Sequence, residues 1–150
     1  MPRIFEFLLA VLIVLAAAPA SAMDFKLLQE SSGPRVVLAS GEIGPGDAQM
    51  LAAALNLATR DRHGTKELLL NSPGGSVFDA LAMTDVMDRV GVSTIIPDHA
   101  LCGSACASVL FVSGKYRTIE TGGLLAIHSC YDIQSGTKVS LCNELISAHA

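Results

Sequence analysis

Between Val36 and Val112 the chain alternates short leucine-rich or β-branched runs with stretches of helical apolar spacing, and glycine-bearing breakers separate them. Such alternation marks an α/β domain, in which each run becomes a strand and each stretch a helix packed on the sheet. Phe25 to Glu30 and Arg35 to Ile43 read as extended segments around the turn cluster Ser31-Ser32-Gly33-Pro34. Gly44-Pro45-Gly46-Asp47 opens a helix with Asp47 as its cap, and Met50, Leu51, Ala54, Leu55, Leu57 and Ala58 follow at helical spacing. Glu67 to Asn71 suits a buried strand. A second helix carries Val77, Ala80, Leu81, Met87 and Val90 on its apolar side and stops at Gly91. Val92 to Ile96 reads as a strand and Cys102 to Val112 as a buried helix ended by Gly114. Tyr116 to Ile119 and Leu124 to Ile127 are two further short strands.

The first 22 residues belong to a different category. Arg3 gives a positive start, an apolar stretch runs from Phe7 to Ala18, and Ala20-Ser21-Ala22 places small residues where a signal peptidase reads. The apolar run is short for a membrane span and ends at Pro19 without a basic stop-transfer cluster, so a cleaved secretory signal over 1–22 is expected rather than an anchor. Contact with a membrane is then expected only through that segment, if it stays uncut. Cleavage after Ala22 leaves 128 residues, 23–150, enough for one modest domain, and the net charge stays at -4. That charge, with no Lys/Arg run and no Trp, argues against nucleic acid as a partner.

All four cysteines, Cys102, Cys106, Cys130 and Cys142, lie beyond the cut. In an oxidising compartment an even count implies disulfides. Three pairings are possible, and closeness along the chain favours Cys102 with Cys106 and Cys130 with Cys142. No tight Cys-x-x-Cys spacing supports a zinc site, and no metal or other cofactor is expected.

Three places can carry chemistry. In Asn71-Ser72-Pro73-Gly74-Gly75-Ser76-Val77 a glycine pair lies between strand and helix, where backbone N–H groups can meet an anion or a developing oxyanion. No Gly-Lys-Ser/Thr follows, so it is not a nucleotide-phosphate loop, and Pro-Gly-Gly also makes an ordinary turn. In Cys102-Gly103-Ser104-Ala105-Cys106-Ala107-Ser108, Ser104 falls at a helix start as a cap or a nucleophile. Ser108, one turn on, is expected to bond a backbone carbonyl instead. His128 closes the strand Leu124-Leu125-Ala126-Ile127 and is a general-base candidate beside such a serine. His63, His99 and His149 have no comparable setting.

Taken in order, these segments resemble the Clp protease proteolytic subunit and its relatives in the ClpP/crotonase superfamily. Asn71 to Val77 is similar to that family's Asn-Ser-Pro-Gly-Gly signature. Ser104-Ala105 is similar to its nucleophile segment, and His128, eleven residues after Arg117 and 24 after Ser104, to its histidine strand. The cysteines around Ser104 and the signal segment look more like secreted, periplasmic members. The resemblance implies an α/β fold of repeated β-β-α units, short at its C-terminal end. It implies Ser104 as nucleophile and His128 as base, with the Gly75 and Ala105 N–H groups as oxyanion hole. A peptide or protein substrate and self-association into a homo-oligomer go with it. The family's aspartate has no match here, since Asp132 follows His128 too closely, and the ring-building helix is missing or reduced around Gly136 and Lys138. An exported Ser-His peptidase is therefore the leading expectation, and an inactive secreted domain that binds a peptide or protein in the same cleft is the alternative. A crotonase-type acyl-CoA enzyme fits poorly with export.

Overall fold

The computed structural model describes residues 22–29, 31–130, 135–140, 143, 144 and 147. The segment before Ala22, expected from the sequence to be a secretory signal, lies outside the described residues, as do Asp132, Cys142 and His149.

Among the described residues from Asp24 to Ala126, seven strands and three helices follow the alternation of the sequence. They are β1 Asp24–Gln29, β2 Arg35–Ser40, α1 Asp47–Leu57, β3 Lys66–Asn71, α2 Val77–Val90, β4 Val92–Ile96, β5 Leu101–Gly103, a π-helix Cys106–Phe111, β6 Arg117–Ile119 and β7 Leu124–Ala126. A five-stranded sheet has the order β1-β2-β3-β4-β6, with β1 antiparallel to β2 and the rest parallel. Strands β5 and β7 form a separate parallel pair. Each parallel strand of the large sheet, β2, β3, β4 and β6, is followed by a short extended stretch on a second row, where Ile43 bridges Gly75 and Ser72 bridges Cys102, which in turn pairs with Leu125. A helix or a further strand comes next. This is the repeated β-β-α plan, an α/β fold.

Parallel strands need cover, and the alternation of side chains supplies it on one face. Val37, Ala39, Leu68, Leu70, Val92 and Ile96 are buried beneath the helices, together with Leu51 and Leu55 of α1, Ala80, Met83 and Met87 of α2, and Val109 and Leu110 of the π-helix. Their neighbours Val36, Leu38, Leu69 and Ile95 point to the other face and are half-buried. Helix α1 packs on α2, and α2 on the π-helix.

Three local expectations need correction. The cap of α1 is Gly46, left-handed at φ 93, and Asp47 is instead the first residue of the helix and fully buried. The stripe repeating every fourth residue, Asp47, Leu51, Leu55, takes the core, which leaves Met50 and Leu57 more than half exposed. Cys102 lies in a strand, not a helix. Ser72 N–H donates to Leu101 O (2.6 Å) and Gly103 N–H to Ser72 O (2.9 Å), and this pairing across thirty residues overrides the helical look of small apolar residues. The helix begins only at Cys106, in the wider π form that recurs at functional sites.

Candidate functional site

Strand β5 leads straight into the serine turn. Ser104 is one of three non-glycine residues with positive φ among those described, at 53°, a conformation that costs an L-residue energy and is held only where its surroundings demand it. Those surroundings are specific. Ser104 N–H donates to Ala126 O of β7 (2.8 Å), and Ser104 O accepts from both the N–H and the hydroxyl of Ser108 (2.9 Å each). Ser108 thus bonds a carbonyl one turn back, as its position predicts. A disulfide joins Cys102 to Cys106 with 5.2 Å between their Cα atoms, so the two residues flanking the Gly103-Ser104-Ala105 turn are covalently tied. Both are fully buried. Cys130 is also disulfide-bonded, and Cys142, expected as its partner, lies outside the described residues.

The glycine pair packs directly on this turn. A side chain on Gly74 would put Cβ 2.6 Å from Ser104 Cβ and 2.7 Å from Gly103 O, so only glycine lets the two loops touch. Gly75, at φ 142, is clasped from the other side, where Ile43 N–H donates to Gly74 O (2.8 Å) and Ser76 N–H to Ile43 O (3.0 Å). Buried Ser72 takes up the Gly74 N–H through its hydroxyl oxygen at 3.1 Å. Ser76 caps α2 by accepting from Asp79 N–H at 3.2 Å. Among the described residues, the N–H groups of Gly75 and Ala105 are bonded to no acceptor. They are the two donors named from the sequence, and they flank Gly74, the point where the loops meet.

His128 follows β7 two residues after Ala126, the residue that holds Ser104. It is exposed, and its Nδ1 lies 2.7 Å from Ser129 O. A carbonyl only accepts, so Nδ1 carries the proton of the neutral ring and Nε2 is its basic nitrogen. Among the described residues no hydrogen bond joins His128 to Ser104 Oγ. The structure thus brings Ser104, Gly75 and Ala105 to one place and sets His128 just past the end of the adjoining strand. Gly74, Ser72 and Ile43, which shape the glycine pair, received no separate role from the sequence. The doubled glycine is the signal that marks two backbone approaches rather than one.

Two concave surfaces among the described residues lie on another part of the domain. A cavity of about 420 Å³ lined by Asp61, His63, Glu67, Ser93, Ile95 and Tyr116, and one of about 360 Å³ beside it, sit on the sheet face away from the helices. At its rim, burial alone would raise the Asp61 carboxyl, but bonds from Thr65 N–H, Thr65 hydroxyl and His63 N–H, with the charge of His63, outweigh it and hold the group below the usual aspartate range. Among the described residues no cluster of three His, Cys, Asp or Glu side chains could hold a metal ion.

A family model described as Clp protease matches residues 21–139, most of the chain and all of the site above. The chain belongs to the Clp protease family. Among solved structures, this Clp-family chain is similar to the ClpP protease catalytic domain from Plasmodium falciparum, with a TM-score of 0.54 and 23% sequence identity. The likeness covers 75% of this chain and 62% of that one, so the chain spans less than two thirds of that domain's length. It fixes the fold as ClpP/crotonase-like. No curated protein matches the chain.

Proposed function

We propose that this chain is an exported Clp-like serine hydrolase that cleaves peptides or proteins, its mature domain running from 23 to 150 in the periplasm. Ser104 attacks the scissile carbonyl while His128 Nε2 takes the hydroxyl proton. The Gly75 and Ala105 N–H groups receive the negative charge that develops on the carbonyl oxygen. The histidinium then gives its proton to the leaving amine, the C–N bond breaks, and water hydrolyses the acyl-enzyme by the same route reversed. The observation that carries this reading is a serine held left-handed on a disulfide-bracketed turn, packed on a glycine pair, with the flanking N–H groups unbonded among the described residues. Its substrates and its self-association into a homo-oligomer belong to the same proposal.

That no hydrogen bond joins His128 to Ser104 Oγ among the described residues supports a second reading, a domain that binds a peptide without cutting it. Hydrolysis of unstructured polypeptide separates the two. On the first reading Ser104→Ala lowers turnover by about 10⁴-fold or more with an unchanged melting temperature, and His128→Ala does nearly the same. Turnover that survives Ser104→Ala removes the nucleophile assignment, and a folded wild-type protein that binds but never cuts favours the second reading.

A further inference from the structure

Asp47 is a carboxylate in the core, fully buried at the head of α1. Its Oδ2 accepts from Gly44 N–H at 2.7 Å and its Oδ1 from Met23 N–H at 3.1 Å. The ion pairs among the described residues, Lys26 with Asp24 and His99 with Asp98, lie elsewhere. Among the described residues no ion pair includes Asp47, and a buried acidic side chain held by two amide donors still has room for a cationic partner. Met23 is buried at 4% exposure, while Ala22 just before it is exposed. The small-residue cleavage pattern Ala20-Ser21-Ala22 ends at the same peptide bond whose nitrogen Asp47 holds.

We propose that cutting the Ala22–Met23 bond supplies the missing cation, so that the new α-ammonium of Met23 pairs with Asp47 and processing locks the corner between β1 and α1. Water adds across the bond. The carboxylate departs with Ala22, and the freed amine on Met23, whose ordinary pKa is about 8, takes up a proton at neutral pH. A signal peptidase at the exporting membrane makes the cut while the chain is still unfolded, since Met23 is inaccessible in the folded domain. The proposal rests on the export reading above and is separate from the chemistry of Ser104.

The test begins with the full chain exported in a secreting host and sequenced from its amino end, where Met23 is the expected first residue. A Gly-Ser insertion between Ala22 and Met23 keeps the cleavage pattern but leaves the Met23 nitrogen an amide, and each form is also made with Asp47→Asn. With Asp47 present, the insertion is expected to raise the unfolding constant in urea about 10-fold or more. With Asp47→Asn it is expected to change it less than about 2-fold. An insertion effect that is absent, or equal in both backgrounds, overturns the pair. A first residue other than Met23 overturns the pair and cleavage at that bond, and leaves the serine hydrolase standing. Should Asp47→Asn not fold, acylation of the α-amine by a succinimidyl ester at neutral pH decides. The Met23 amine is expected to react at least about 10-fold more slowly than the amine of the insertion variant, and equal rates overturn the proposal.

Discussion

Strands β2, β3 and β4 are each paired on both sides and covered by helices, so Leu68 or Val37 is fixed by many neighbours at once. The turn at Ser104 hangs on fewer contacts: a backbone bond to Ala126, the two bonds from Ser108 to its carbonyl, a bond between Gly103 and Ser72, the contact with Gly74 and one disulfide. The first region tolerates the loss of one contact at a cost in stability. In the second, each contact sets the position of the serine proposed as nucleophile, so on that proposal its loss is expected to appear in rate before it appears in stability. A site of this kind stands on a rigid scaffold while being itself sparsely determined.

That contrast can be broken at several points. Gly74→Ala forces a Cβ into Ser104 and Gly103, and the reaction of Ser104 with an activated ester is expected to slow by about 100-fold or more, because a shift of about 1 Å misaligns nucleophile and donors. Stopped-flow or spectrophotometric rates on the folded variant give the answer, and an unchanged rate would mean that the glycine contact does not position the serine. Leu68→Ala is the converse probe. It empties a fully buried position and is expected to cost about 2–5 kcal/mol in urea unfolding while the rate of the remaining folded protein stays within a few-fold.

Replacing both Cys102 and Cys106 by Ala opens a short covalent loop. Chain entropy sets the expected loss near 2 kcal/mol, with a fall in rate beyond what the unfolded fraction explains. Equal rates for folded oxidised and Cys-free protein would make the bridge a stabiliser of the fold only. Asp61→Asn, at the rim of the other sheet face, is the smallest. The carboxyl is held below its usual pKa, so its contribution is present above the unfolded value near 3.9 and is lost as pH falls through the lowered folded value. Solvent screening keeps it within about 1 kcal/mol, read as a difference in acid-unfolding midpoints with no change in rate at neutral pH.

Much of the fold was legible because local and tertiary demands agree. Val92 to Ile96 is β-branched and becomes β4 over the same residues, and Gly91 ends α2 in the left-handed form that glycine permits. Legibility failed where a distant partner decides. Cys102 looks helical until Ser72 and Leu125 pair with it, and Asp47 looks like a cap until Met23 and Gly44 draw its carboxylate into the core. At the site, the residue types and their order pointed to Ser104, Gly75, Ala105 and His128. The left-handed serine and the fit of Gly74 against it have no local signature, because both arise from two loops meeting.

The central claim is that Ser104 is an activated nucleophile. Fluorophosphonate labelling of the purified protein, with the adduct mapped by peptide mass spectrometry and Ser104→Ala as control, tests it most directly. The account predicts a single adduct on the peptide containing Ser104, slowed strongly by His128→Ala and absent from Ser104→Ala. A folded protein that takes no label, or takes it equally in the Ser104→Ala variant, would contradict it.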